Sequence, residues 1–115
     1  MIKELQTAVE AAHAKKAIKP VALEVKGVCS FTDYFLLFSG ANPKHVQAIS
    51  DEIELRLKRQ GTPAHHIAGY SQAEWVLMDY IDFVVHIFSQ KARLYYDLER
   101  LWRAARRLPV EPEAP

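Results

Sequence analysis

The residues able to do chemistry are few and scattered. Cys29 is the sole cysteine, and His65 and His66 are adjacent. Neighbours on a strand project to opposite faces, so those two histidines would not share a metal ion there. No ligand spacing of a zinc module is present. Asp79 and His86 stand in a more informative setting. They fall in residues 75–80 and 83–88, two apolar runs read as strands joined tightly at Ile81 and Asp82. Side chains alternate between the faces of a strand. A two-residue link pairs Tyr80 with Phe83, Met78 with Val85 and Val76 with Ile87, which makes an apolar face for the core. The opposite face sets Trp75 beside Phe88, Leu77 beside His86 and Asp79 beside Val84. Asp79 and His86 become diagonal neighbours, within reach of a mutual hydrogen bond. Ile81 resists the positive φ of a tight turn; a four-residue loop is the alternative and keeps the same two faces.

The second face combines Trp, Phe and Leu with one Asp and one His. Those types suit the centre of an interface, where aromatics supply area and a few polar groups fix register. Trp75, Leu77, Asp79, His86 and Phe88 are therefore the candidate partner-binding residues. The competing expectation is a third helix that covers this face and buries it. A second candidate group is the connection containing Thr32, Asp33 and Tyr34, whose Thr and Asp can equally cap a turn. A third is Tyr96 with Arg100, which lie with Tyr95 and Asp97 off the apolar stripe of the last helix and can equally form a half-exposed edge. No catalytic or metal-ligating residue is assigned, and no cofactor is expected.

These residues need elements to hold them. Residues 2–17 predict an amphipathic helix with Ile2, Leu5, Val9 and Ala12 on one stripe and Pro20 just beyond its end. Residues 21–25 read as a strand. Residues 34–38 are continuously apolar, as in a strand covered on both faces. Asn42 then suits a helix N-cap and Pro43 the first helical position. Val46, Ile49, Ile53 and Leu57 form that helix's buried stripe, and Gly61 is placed to end it. A short strand is expected near residues 65–68. A last helix is expected from about residue 90 to 107, with Leu94, Leu98, Leu101 and Ala105 buried and Glu99 paired with Arg103. The order is α-β-β-α-β-β-β-α: an α/β fold with a mixed five-stranded sheet and flanking helices. Residues 1–107 make the domain, and residues 108–115, rich in proline and glutamate, are expected to be a disordered tail.

The 115-residue length fits one domain, and half the residues are hydrophobic, enough for a real core. A net charge of +1 predicts no wholesale attraction to nucleic acid or to an acidic membrane. The first residues lack the apolar run of a signal peptide, and no run is long enough to span a bilayer. A cytoplasmic location with no membrane partner is the simplest expectation.

Five segments taken together carry a resemblance. They are residues 30–35 (Ser30 to Phe35), Ser39-Gly40, residues 45–52 (His45 to Glu52), residues 75–88 and residues 96–102 (Tyr96 to Trp102). In this order and spacing the chain resembles the ribosomal silencing factor, or Iojap, family over roughly residues 5–103. Ile81 stands where many members carry Gly, and Glu24 where Asp is common. The resemblance implies a nucleotidyltransferase-like topology and a non-enzymatic translation repressor. It further implies binding to the large ribosomal subunit through its ribosomal protein fourteen. That would block joining of the small subunit and damp translation when nutrients are short or in stationary phase. Secondary contacts to rRNA phosphates, from the basic residues between Lys91 and Arg107, and a homodimer through the sticky face are further partner expectations. The alternative is a nucleotidyltransferase-like enzyme that has kept a nucleotide site. Such an enzyme needs clustered carboxylates for Mg²⁺ and a Gly-Ser phosphate loop. Here the order is Ser39-Gly40, and a turn separates Asp79 from Asp82.

Overall fold

The computed structural model describes residues 2–110. Helix α1 (Lys3–Ala14) is followed by β1 (Ile18–Glu24), β2 (Tyr34–Gly40), α2 (Pro43–Arg59), β3 (His66–Ala68), β4 (Trp75–Asp79) and β5 (Phe83–Ser89). Two short helices, α3 (Gln90–Tyr96) and α4 (Leu98–Leu101), and a last strand, β6 (Arg106–Leu108), follow. Among the described residues one six-stranded sheet runs β3-β4-β5-β2-β1-β6, one strand more than expected. Strands β2 and β5 pair in parallel; the other neighbours are antiparallel.

The local signals explain most of these boundaries. Asn42 Oδ1 accepts from the His45 N–H at 2.8 Å, and Pro43 occupies the first turn of α2. The end of α2 is closed by Gly61 and Thr62, whose N–H groups donate to the carbonyls of Lys58 and Leu57. Gly61 takes φ +87°, which a glycine accepts without steric cost. Helix α1 is shorter than the apolar stripe suggested. It stops at Ala14, Ile2 is partly exposed at its cap, and Pro20 lies inside β1. A bulge between Ile18 and Val21 accommodates that proline in β1.

Both faces of the sheet are packed, unequally. Helices α1 and α2 bury Leu5, Val9, Ile49 and Ile53 against Leu36, Phe38, Val76, Met78, Val85 and Ile87. The other face gathers Val21, Leu23, Val25, Phe35, Leu37, Val84 and Phe88 under Ala92, Leu98 and Trp102. Strands β2 and β5 are therefore buried on both sides, as the continuous apolar run at Tyr34 predicted.

The C-terminal region departs from the expected single helix. Asp97 adopts a left-handed conformation, φ +46°, and breaks the helix into α3 and α4. Long-range bonds hold the segment around the break. Arg93, 6% exposed, donates from Nη1 to Ser39 Oγ at 3.0 Å and from Nη2 to the Lys19 carbonyl at 2.9 Å. Its Nε bonds Glu99 at 3.0 Å, and Glu99 also holds Arg107 at 3.1 Å rather than Arg103. The anticipated buried stripe is thereby dismantled. Leu98 stays inside, whereas Leu94 and Leu101 are 77% and 71% exposed. Residues 106–108 pair with β1, and Val110 packs on the core. Leu108 and Val110, in the segment expected to be a tail, thus make these contacts; the tail expectation for residues 111–115 lies outside the described residues.

Candidate docking surface

The β4–β5 hairpin has the two-residue link and the register read from the sequence. Trp75 lies opposite Phe88, Leu77 opposite His86 and Asp79 opposite Val84, while Met78 and Val85 turn to the core. The tight link forces Ile81 to φ +73°, a conformation that costs a β-branched residue roughly 1–2 kcal/mol. Three neighbours hold it there. Asp79 Oδ1 accepts from the Ile81 N–H at 2.8 Å, Thr32 Oγ1 donates to the Ile81 carbonyl at 2.9 Å, and the Asp33 N–H donates to the Asp82 carbonyl. Thr32 is buried, and Asp33 also uses its carbonyl to receive the N–H groups of Val25 and Lys26. Tyr34, next in line, packs at the edge of the α1/α2 core. Thr32, Asp33 and Asp79 therefore brace the turn in this structure.

The face of interest is divided by depth. Phe88 is fully buried and His86 is 4% exposed, beneath the C-terminal segment. The expected covering helix is thus partly realised. On β4, one strand in from the β3 edge, Trp75, Leu77 and Asp79 remain half-buried. The hydrogen-bond partner of His86 is Trp75, not Asp79: the indole Nε1–H donates to Nδ1 at 3.0 Å. The Trp75 ring lies 5.1 Å from Phe88 and 4.7 Å from Tyr96, between centroids. Tyr95 meets Tyr96 edge-on at 5.0 Å and is 80% exposed. Burial lowers the His86 pKa to about 4, so the imidazole is neutral near pH 7. With Nδ1 accepting, its proton sits on Nε2, which is buried with no hydrogen-bond partner among the described residues.

Trp75, Tyr96 and Tyr95 form a continuous aromatic path from the sheet onto α3. Leu94, Tyr95, Tyr96, Asp97, Arg100, Leu101 and Arg103 line an open hollow of about 600 Å³. Aromatic and aliphatic area with arginines beside it is the composition of a protein-docking centre. Tyr96 and Arg100 belong to this hollow as candidates from the sequence. Tyr95 also lies off the expected stripe; Leu94 and Leu101 are additions from the structure, because a straight helix would bury both. The sequence signal for them is faint: Asp97 is a residue that tolerates the left-handed region.

Groups that a nucleotide-transfer site would use are engaged elsewhere. Ser39 is 1% exposed with its hydroxyl bound by Arg93, and the Asp79 carboxylate closes on the Ile81 turn. Among the described residues no three of His, Cys, Asp and Glu gather as a metal site requires. No helix among them is long and apolar enough to cross a membrane.

Comparison with known proteins agrees with this fold. A ribosomal silencing factor RsfS from Halalkalibacterium halodurans is 44% identical over 107 residues, 93% of this chain and 92% of that protein. A crystal structure from Bacillus halodurans superposes with a TM-score of 0.81 at 43% identity, covering 91% of this chain and 95% of the other. A mouse protein named mitochondrial assembly of ribosomal large subunit protein 1 is 29% identical over 83 residues, 70% of this chain and 36% of its own length. Residues 1–115 match the family described as ribosomal silencing factor during starvation, and the chain belongs to that family.

Proposed function

We propose that this chain represses translation in the cytoplasm without catalysing a reaction. It docks on the large ribosomal subunit through ribosomal protein fourteen and occupies space that the small subunit needs. Family membership supports the ribosome as target. The observation that carries the docking surface is the half-open aromatic path Trp75–Tyr96–Tyr95 with exposed Leu94 and Leu101 beside it. Exposed aromatic and aliphatic side chains grouped around one hollow favour a partner. A steric block needs only occupancy, which follows concentration relative to affinity. The engagement of Ser39 and Asp79 in structural bonds favours a binding module over a nucleotide-transferring enzyme.

Arg100 and Arg103, which line the hollow, would supply secondary contacts to rRNA phosphates at the edge of the interface. A second copy of the chain would compete for the same apolar surface. The test is retention of the protein by isolated ribosomal protein fourteen, wild type against Trp75→Ala. Truncating a central aromatic anchor costs ~2 kcal/mol or more, about a thirty-fold weaker complex. Equal retention of a folded Trp75→Ala variant would remove Trp75 from the contact. On whole large subunits, a shallow loss of binding with salt marks an apolar protein contact, and a steep loss marks rRNA phosphates as the main source of affinity.

A further inference from the structure

We propose that His86 is a positioning residue for docking: its Nδ1 holds the Trp75 indole in the orientation the partner receives, at the expense of the domain's own stability. The proposal rests on the docking surface argued above and concerns how that surface is kept ready.

His86 has an unusual position for its type. It stands on β5, covered on both faces, and is 4% exposed. Its surroundings are aromatic. Phe35 lies perpendicular at 4.9 Å between ring centroids, and Phe88 lies nearly parallel at 6.1 Å. One ring nitrogen has a partner, and the other has none among the described residues. A buried polar atom without a partner opposes folding, and an apolar side chain of similar size would remove that penalty. The residue is therefore poorly explained by stability.

What His86 does provide is direction. Trp75 is half-buried, and its ring contacts with Phe88 and Tyr96 are tilted, at 33° and 47°. Those tilts match neither the stacked nor the edge-to-face arrangement that aromatic pairs prefer, so they fix the direction of the indole weakly. The Nε1–H···Nδ1 bond is the directional one, and it ties the indole on β4 to the buried centre of the sheet. Because burial keeps the imidazole neutral, Nδ1 remains an acceptor at neutral pH. An anchor already ordered before encounter loses less entropy on binding.

The test separates stability from affinity. His86→Leu removes the acceptor and the unpartnered N–H together, and His86→Gln restores an acceptor oxygen. The expected result for His86→Leu is unchanged or raised resistance to urea, with binding to purified large ribosomal subunits weakened roughly five- to ten-fold, the scale of ordering one large side chain. His86→Gln should bind closer to wild type. In the ¹H–¹⁵N spectrum of the free protein, the Trp75 indole signal, assigned by its loss in Trp75→Phe, should shift and exchange faster in His86→Leu. In a Trp75→Phe background, which has no indole donor, His86→Leu should change binding no further. Binding equal to wild type by folded His86→Leu would overturn the proposal. So would stability and binding that fall together, equally in both backgrounds. Should His86→Leu fail to fold, the Trp75 indole signal and affinity of His86→Gln decide: a shifted, fast-exchanging indole with wild-type affinity overturns positioning. The docking reading fails separately, if folded Trp75→Ala binds large subunits as wild type does.

Discussion

Acid should weaken this domain through His86 in a way that one substitution removes. In the unfolded chain the imidazole takes up a proton near 6.5, whereas burial delays protonation in the folded state to about 4. Between those values the unfolded state binds more protons, so stability is complete above pH 6.5 and declines as the pH falls toward 4. The gap, at ~1.4 kcal/mol per pH unit, amounts to roughly 3 kcal/mol. That is a large part of the 5–15 kcal/mol or so that holds a typical domain together. Almost complete burial leaves little solvent to screen the effect. The assay is urea denaturation of wild type and His86→Leu at intervals from pH 7.5 to 4.5. The difference between the two proteins should grow as the pH falls, by up to ~1.4 kcal/mol per unit. The other histidines and all carboxylates are common to both and cancel. Parallel stability curves would show that His86 titrates alike in both states and would refute its dry, neutral burial.

Further outcomes follow from the packing. Arg93→Leu strands the buried Ser39 hydroxyl and releases Glu99 and the Lys19 carbonyl; a loss of roughly 2–4 kcal/mol in denaturant unfolding is expected, and lost partner binding should accompany it as α3 and α4 rearrange. Gly69→Ala should cost ~2 kcal/mol or more, because Gly69 has φ +81° and an added Cβ would collide with the Trp75 carbonyl oxygen; thermal unfolding reads this directly. Ile81→Gly should stabilise by about 1 kcal/mol, since glycine accepts the positive φ without steric cost, and Ile81 is 60% exposed and gives up little burial. A destabilised Ile81→Gly would mean that the isoleucine makes contacts worth more than its backbone strain.

The parts legible in the sequence are those whose causes are local. The two faces of β4 and β5 follow from the alternation of side chains along each strand, and the two-residue link gives the register found from Trp75 opposite Phe88 to Asp79 opposite Val84. Asn42-Pro43 and Gly61 bracket α2 because cap chemistry depends on a few adjacent residues. The tight Ile81 turn is only half legible. Its unfavourable φ is compensated by Thr32 Oγ1, which lies 49 residues away in sequence. The break at Asp97 is barely legible. Asp97 tolerates the left-handed region, but Arg93 beside it is held by Ser39 and Lys19, across 54 and 74 residues, and no periodicity within residues 90–107 records those partners. The same break moves Leu94 and Leu101 from the expected core to the surface. Strand β6 escapes for a like reason, since its three residues are ordered by pairing with Ala22, Leu23 and Glu24. At the candidate site, Trp75 and Leu77 lie where alternation puts them, half-open on β4. His86 and Phe88 lie on the same face but under cover, because only the three-dimensional path of α3 and α4 decides which part of that face is roofed.

Subunit joining tests the proposed steric block most directly. Purified small and large ribosomal subunits are mixed at fixed Mg²⁺ with increasing amounts of this protein, and joined ribosomes are resolved by sedimentation. Wild type should shift material from the joined peak to free subunits and co-sediment with the large one. A folded Trp75→Ala variant should need about thirty-fold more protein for the same shift, in line with ~2 kcal/mol lost at the anchor. A joined peak unchanged by saturating wild-type protein would contradict the steric block outright.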